Sequence, residues 1–205
     1  MHPKVVGTKG WGLIRKLVHG ELADGWVLAG GTGLALQFGH RLSRDLDFFG
    51  NRDFDGVRLA DSLARVAAVT VLGRSAGTLH VRLAGSRLSF LELQRPLLFP
   101  GTPYRGIIVA DPRDIAAMKV LAIAGRGSRK DFVDLHFFIR SGGSLESVFR
   151  WIHRRFKGID FNEYHLLRSL VFFEDAESEP MPRMLRRAAW ADIKRTMGAE
   201  VKRLS

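Results

Sequence analysis

The spacing of apolar residues predicts strands and helices in the first half of the chain and almost only helices in the second half. Short apolar runs and alternating segments predict strands, which lie at 26–29, 45–49, 70–74, 78–83, 87–93 and 107–109. Apolar residues at helical spacing predict helices, which lie at 9–19, 33–39 and 57–68. Gly85-Ser86 is typical of a hairpin turn between two of the strands. Hairpin-linked strands beside strand–helix–strand units favour a mixed sheet.

The second half opens with a strong helix start. Asp111 can cap the helix, Pro112 suits its first position and Asp114 suits its first turn. Further helical patterns follow at 129–140, 144–156, 161–171 and 184–198. We therefore expect an α+β chain with two parts, an α/β core over 1–110 and a helical C-terminal region over 111–205 that completes the site.

The composition includes enough hydrophobic residues for a substantial core, and it excludes sites that depend on cysteine. The chain has 205 residues, 46% of them hydrophobic, and no cysteine, which excludes disulfides and thiolate metal sites. No apolar run approaches the roughly twenty residues of a membrane-spanning helix, and the N-terminus lacks the layout of a signal peptide. We expect a cytoplasmic protein with no membrane partner.

The formal net charge of +11 favours a polyanionic partner, because it raises the local concentration of anions. Basic residues cluster at 150–157 and 183–203, and an acidic stretch at 174–179 lies between them. For any single cluster, a solvated helix face is an equal alternative. The excess over the whole chain is more than solubility requires, so RNA is a candidate partner.

Asp45 and Asp47 project from one face of a predicted strand, because side chains two residues apart in a strand point the same way. Leu46 and Phe48 face the opposite side. The two carboxylates repel each other, and a bound cation relieves this repulsion. Carboxylate oxygens without sulfur or clustered imidazole suit a hard ion, so the pair indicates Mg²⁺ or Mn²⁺ held against a nucleoside triphosphate.

A glycine turn upstream of the acidic pair supplies a candidate phosphate-binding element. Gly30 and Gly31 let the backbone approach a ligand closely, and Thr32 is expected to cap the next helix, whose first free amides attract phosphate. His40 and Arg41 are further candidates for phosphate contact, with packing as their alternative role. An ordinary Gly-Gly turn beside a surface strand is the alternative for the whole stretch, but the coupling of both features favours a nucleotide site.

Two predicted helices in the second half carry further polar candidates. Lys119 lies among apolar residues in mid-helix, and Arg126 lies on the same face two turns later. Facing a phosphate cradle, the two cations would stabilise a pyrophosphate leaving group; an exposed lysine is the alternative. Asp131 and Asp134 share a face of the next helix, and the alternative role for Asp134 is an ion pair with the Arg-Lys pair at 129–130.

Three motifs in order resemble those of a known family. GGT at 30–32 followed by HRLSRDLDFF at 40–49 is similar to the first motif of the polymerase-β-like nucleotidyltransferases. More narrowly, it resembles the AbiEii/AbiGii-type (MenT-like) toxins of bacterial toxin–antitoxin systems. The stretches at 114–135 and 169–182 resemble later motifs of the same toxins, so that the resemblance covers about 25 to 195.

The resemblance implies a polymerase-β-like fold, with a mixed sheet and helices followed by a C-terminal helical bundle. It implies that Asp45 and Asp47 bind the metal ions and that Ser43 assists nucleotide placement. Lys119 would contact the triphosphate, and Asp134, or as an alternative its neighbour Asp131, would complete the polar site. The implied catalytic residues are Asp45, Asp47, Lys119 and Asp134. The implied nucleotide-binding residues are Gly30, Gly31, Thr32, Ser43, Lys119, Arg126 and Asp131.

The implied activity is the transfer of a nucleoside monophosphate from an NTP to an acceptor hydroxyl, with release of pyrophosphate. The tRNA 3′ end is the acceptor that the family implies, and the cellular role is that of a toxin neutralised by a cognate antitoxin. Two alternatives stay open at this point. The first is transfer to a small molecule, as in antibiotic modification, and the second is a non-catalytic relative that binds nucleic acid.

One position departs from the common pattern of polymerase-β-like enzymes. Many of them carry a third carboxylate on a later strand, where it can deprotonate the attacking hydroxyl. The residue that aligns there is Ser89, and Glu92 faces the opposite side of its strand. The sequence therefore leaves the general base unassigned.

Overall fold

A seven-stranded sheet forms the centre of the computed structural model, which describes residues 1–159 and 161–204. The strands are β1 (Val27–Leu28), β2 (Leu46–Gly50), β3 (Val69–Ser75), β4 (Thr78–Leu83), β5 (Ser86–Glu92), β6 (Thr102–Tyr104) and β7 (Ile107–Val109). Their order is β3-β4-β5-β2-β1-β7-β6. β1 pairs with β7 and β2 with β5 in parallel, and the other neighbours are antiparallel, so the sheet is mixed as predicted.

The helices lie beside the sheet and dominate the second half of the chain. They are α1 (Gly7–His19), α2 (Gly30–Phe38), α3 (Gly56–Val66), α4 (Pro112–Arg126), α5 (Arg129–Arg140), α6 (Leu145–Arg155), α7 (Glu163–Ser169), α8 (Glu174–Ser178) and α9 (Trp190–Leu204). Within the described ranges, none of them combines the length and the apolar character that a membrane crossing needs. Separate buried clusters form within 5–109 and 116–197, while the division at 110 into two parts stays a prediction.

The last helix begins at Trp190, whereas the apolar pattern predicts a start near residue 184. The backbone before it is not helical, because part of it pairs with a distant segment. The amide of Leu42 donates to the Arg183 carbonyl at 2.8 Å, and the amide of Leu185 donates to the His40 carbonyl at 2.8 Å. These bonds replace the helical bonds of the segment and cover the residues that lead into β2.

The hairpin between β4 and β5 turns at Ala84-Gly85, one residue earlier than predicted. Leu83 pairs with Ser86 across the turn, and both turn residues have positive φ, 47° at Ala84 and 79° at Gly85. A two-residue turn of this hand matches the twist of the strands, and glycine removes the strain at its second position. The register of β4 against β5 follows from this turn.

Alternation along β2 separates an apolar core face from a polar face. Leu46 and Phe48 are fully buried, and Phe48 stacks on Phe90 of β5 with ring centroids 5.5 Å apart. Burial of one such side chain contributes about 2–3 kcal/mol, and a slip by one residue would expose both. The register of β2 is thus determined by its apolar residues, which direct Asp47 to the opposite face.

Candidate active site

The predicted acidic pair lies in a cleft of about 770 Å³ between the sheet and the helices α4 and α5. Asp47 is a half-buried residue of β2, and Asp45 is exposed directly before that strand. Gly30 and Gly31 at the start of α2 line the same cleft. The structure therefore brings the acidic pair and the glycine turn together.

Both glycines make room for charged side chains. Gly30 has a φ of +58°, and a Cβ there would lie 2.8 Å from Oδ2 of Asp47. A Cβ at Gly31 would collide with the Arg41 guanidinium and lie 3.2 Å from Oδ2 of Asp134. The first amides of α2 can therefore lie close to these carboxylates only because neither position carries a side chain.

We expect Gly30→Ala to lower the free energy of unfolding by about 1–2 kcal/mol, because the new Cβ combines left-handed backbone strain with a contact on Asp47. Gly198→Ala is the matched control, since Gly198 lies in α9 with open space around its Cα. In a helix interior this control should raise the free energy of unfolding by about 0.5–1 kcal/mol. Urea unfolding of both variants measures the two values; shifts of the same sign would contradict the assigned role of Gly30.

Thr32 does not cap α2, which corrects the expectation from the sequence. The N-cap position is Ala29, without a side-chain cap bond. The buried Thr32 hydroxyl is instead hydrogen-bonded to Ser43 Oγ at 2.7 Å and to the main-chain carbonyl of Asp45. Thr32 and Ser43 thus tie α2 to the segment that enters β2 and hold the acidic pair in place.

Lys119 is buried between two carboxylates and is not the exposed lysine that the sequence left as an alternative. Its Nζ lies 2.6 Å from Oδ1 of Asp131 and 2.6 Å from Oδ2 of Asp134. Arg126 donates to Asp131 from the rim of the cleft, with Nε 2.8 Å from Oδ2. Burial opposes the charge on Lys119, but the carboxylates of Asp134 and Asp131 outweigh it and raise the pKa of the ammonium.

Asp134 is fully buried and joins the two halves of the chain. Arg41 donates to it through Nε at 2.6 Å and Nη2 at 2.8 Å, and His40 Nε2 lies 2.8 Å from Oδ1. The ion pair with 129–130 that the sequence left open is therefore wrong, and His40 and Arg41 face this carboxylate instead of an open phosphate site. Burial alone would raise the pKa of Asp134, but Arg41 and Lys119 hold that pKa well below its usual range.

We expect acid to destabilise the fold through these buried carboxyl groups. The pKa of Asp131 is also lowered, because Lys119 and Arg126 outweigh its burial. A carboxyl group with a depressed pKa in the folded state contributes its full stabilisation above its unfolded pKa of about 3.9 and loses it as the pH falls towards the folded value. The free energy of unfolding should decline below about pH 4, and Asp131→Asn should show a shallower decline in urea titrations at each pH. Equal slopes for both proteins would contradict this account.

Ser89 lies beside Asp47, at the position where a third carboxylate was considered. The parallel register of β2 and β5 pairs Asp47 with Ser89. On the other side of Ser89, its Oγ lies 3.0 Å from Nδ1 of His80 on β4. The sequence pattern did not indicate His80 as a residue of the site, although the predicted hairpin was a signal that β4 and β5 are partners.

Further residues of the cleft were also missed. Three basic side chains line it without a salt bridge to any described residue, namely Arg44, Arg87 and Lys130. Apolar side chains also line it, among them Leu42, Phe49, Leu72, Leu91 and Met118. Phe49 and Leu91 follow Asp47 and Ser89 at strand spacing, so alternation alone could have identified them.

The acidic pair suits a divalent ion that shares its coordination with a substrate. Among residues 1–159 and 161–204, no three His, Asp or Glu side chains are grouped so that they could hold a metal ion. Mg²⁺ in nucleotide sites commonly takes one or two carboxylates and completes its shell with phosphate oxygens and water. Asp47 on β2 and Asp45 directly before it line the cleft together with the start of α2 and fit that requirement.

Comparisons with known proteins give matches over most of the chain. The model of the family described as "Nucleotidyl transferase AbiEii toxin, Type IV TA system" matches residues 12–203. The uncharacterized protein aq_aa25 of Aquifex aeolicus (strain VF5) is 38% identical over 173 residues, which are 81% of this chain and 82% of that protein.

Two solved structures share the fold. JHP933 from Helicobacter pylori aligns with a TM-score of 0.55 at 16% identity and covers 95% of this chain and 89% of its own. The MenT4 nucleotidyltransferase toxin of Mycobacterium tuberculosis H37Rv aligns with a TM-score of 0.56 at 17% identity, over 92% of this chain and 82% of its own. The predicted polymerase-β-like fold and the predicted family are thereby confirmed. Since the family model spans nearly the whole chain, the protein belongs to the AbiEii nucleotidyl transferase toxin family of Type IV toxin–antitoxin systems.

Proposed function

We propose that the protein transfers a nucleoside monophosphate from an NTP to an RNA hydroxyl, with the tRNA 3′ end as acceptor, and releases pyrophosphate. The observation that carries this proposal is the acidic pair, Asp45 and Asp47, lying against the side-chain-free start of α2 in one cleft. A helix start attracts phosphate, and paired carboxylates attract the cation that accompanies it. The two elements together suit a nucleoside triphosphate.

The triphosphate has suitable cations in the cleft. Arg44, Arg87 and Lys130 line it and form no salt bridge with any residue of the described ranges. Cations without an internal partner are available to an incoming anion, whereas a paired cation must first lose or share its partner. These side chains are therefore candidates for the first capture of the NTP.

Lys119 has a different role in this proposal. An ammonium carries three N–H donors, and Asp131 and Asp134 occupy two of them. The remaining donor can bind the triphosphate, while the two carboxylates hold the side chain in one position. Asp134 thus completes the site by orienting Lys119 and Arg41, and Arg126 and Asp131 form the adjacent rim.

Asp45 and Asp47 would hold Mg²⁺ or Mn²⁺, which supplies positive charge to the reacting phosphate and to the leaving pyrophosphate. Ser43 and Thr32 keep this pair at the start of α2 through the bond between their hydroxyl groups. Arg44 and Arg87 offer donors to the charge that develops on the phosphate oxygens. Catalysis in such a site rests on positioning and on charge stabilisation.

An RNA acceptor is supported by the net charge of +11, which attracts the phosphate backbone. We propose the cytoplasm as the location, because NTP and tRNA are found there. A cognate antitoxin is the proposed protein partner, as for a member of a toxin–antitoxin family. Co-expression with the product of the neighbouring reading frame should relieve growth arrest if that product is the antitoxin.

The test is a transfer assay with each α-labelled NTP, Mg²⁺ and total bacterial RNA. We expect label on tRNA, loss of labelling with excess chelator, and restoration by Mg²⁺ or Mn²⁺. If label appears on an aminoglycoside or another small molecule and none on RNA, the proposed RNA acceptor is wrong and the small-molecule alternative is supported. If the protein retains RNA but no NTP labels any acceptor, the protein binds RNA without transfer, and the proposed activity is contradicted.

A further inference from the structure

Side chains from three neighbouring strands form a row along one wall of the cleft. Ser89 on β5 pairs with Asp47 on β2 on one side and with His80 on β4 on the other. Directly paired residues point to the same face of a sheet, with backbones about 4.8 Å apart. Asp47, Ser89 and His80 all line the cleft. The row therefore leads from the acidic pair to an exposed imidazole.

The hydrogen bond within this row offers a path for proton transfer. Ser89 Oγ and His80 Nδ1 are 3.0 Å apart. A neutral imidazole that carries its proton on Nε2 accepts from the serine hydroxyl through Nδ1. His80 is exposed, so that a proton that reaches its ring can pass to water.

Other groups in the cleft are poorly suited to accept a proton. Asp45 and Asp47 are assigned to the cation, and Asp131 and Asp134 are occupied by ion pairs that lower the pKa of both. The remaining charged groups that line the cleft, within the described part of the chain, are cations. Among the described residues that line the cleft, His80 thus offers a ring nitrogen that neither an ion pair nor the cation occupies.

We propose that Ser89 and His80 together accept the proton of the acceptor hydroxyl, in the place of a third carboxylate; this rests on the proposed nucleotidyl transfer. The acceptor oxygen forms a bond to the α-phosphorus, and the bond from that phosphorus to the bridging oxygen breaks to release pyrophosphate. The acceptor proton passes to Ser89 Oγ as the serine proton passes to His80 Nδ1. The imidazolium then releases one proton to water, and exchange of the remaining proton with water returns the ring to the tautomer with its proton on Nε2, so that the row is restored.

His80→Asn is the first test, because an asparagine amide at this position can keep a hydrogen bond to Ser89 but cannot take up the proton. We expect the rate constant of single-turnover transfer to fall by about 100-fold or more. The binding affinity for the NTP, measured without acceptor, should stay unchanged. His165→Asn on the exposed surface of α7 is the control and should leave both values unchanged. If His80 served only to hold Ser89 through the hydrogen bond, the single-turnover rate constant of His80→Asn would stay near that of the wild type.

Ser89→Asp supplies the second test, because it puts a carboxylate beside Asp47 that can accept the proton directly. In this background His80→Asn should have little further effect, and the double variant should transfer faster than His80→Asn alone. A wild-type rate for folded His80→Asn, or a double variant as slow as His80→Asn, would overturn the relay. Absence of transfer by the wild-type protein would instead overturn the proposed function, so the two failures are distinguishable.

Discussion

Asp47→Asn is expected to reduce nucleotidyl transfer by at least about 1,000-fold, because loss of one metal-binding carboxylate removes several kcal/mol of charge stabilisation. Asparagine keeps the size of the side chain and removes only its charge. The half-buried Asp47 forms no salt bridge with a described residue, so the fold does not depend on its charge. Initial rates of label transfer at saturating NTP and Mg²⁺ measure the effect.

Asp53→Asn is the matched control for Asp47→Asn. Asp53 is an exposed acid in the connection after β2 and does not line the cleft. Its replacement changes the net charge by the same amount and should leave the transfer rate unaltered. Urea unfolding should give the wild-type free energy for both variants. If folded Asp47→Asn retains its rate per molecule, Asp47 does not hold the ion and the proposed site is wrong.

Asp134→Asn is expected to destabilise the fold, unlike Asp47→Asn. The expected loss in the free energy of unfolding is about 3–5 kcal/mol. The buried carboxylate compensates Arg41 and Lys119, and its removal leaves two buried cations with too little negative charge. An asparagine Nδ2 facing Lys119 would also bring two donors together. Urea unfolding at neutral pH measures the loss.

A surface ion pair provides the comparison for Asp134→Asn. Glu146 and Arg150 on α6 are 3.5 Å apart, with both side chains about two-thirds exposed. Glu146→Gln should cost only about 0.3–0.5 kcal/mol, because water screens exposed pairs. If Asp134→Asn costs no more than Glu146→Gln, the buried network does not hold the two halves together. In that case the proposed difference between the two residues, with Asp47 required for transfer and Asp134 required for stability, would be wrong.

Local sequence signals predicted the elements well wherever the interactions are themselves local. The Asp111 side chain accepts from the Arg113 amide at 2.9 Å and caps α4 as predicted. α5 spans Arg129–Arg140, which are the predicted bounds. Helix caps and apolar periodicity act within a few residues, so a single stretch of sequence contains the information.

The errors occur where a distant segment competes for the same groups. The Thr32 hydroxyl bonds to Ser43 and the Asp45 carbonyl, and so it does not cap its own helix. The hairpin shows how a small shift propagates: a turn at Gly85-Ser86 would pair Ser89 with Arg82, whereas the turn at Ala84-Gly85 pairs it with His80. Because the predicted turn was one residue too late, it gave Ser89 the wrong partner, and the candidate proton acceptor could not be identified from the sequence.

The sequence by itself determined the mixed sheet, most of the helices and the family. Only the tertiary structure decided which charges neutralise Lys119 and Asp134, since Arg41 and Asp134 lie 93 residues apart in the chain. It also decided that His80 lies beside Ser89 and that the segment at 183–186 bonds to residues 40–42 instead of forming a helix. The physical reason is that alternation and capping depend on neighbours in sequence, whereas buried charges and strand registers depend on partners that only the folded chain brings together.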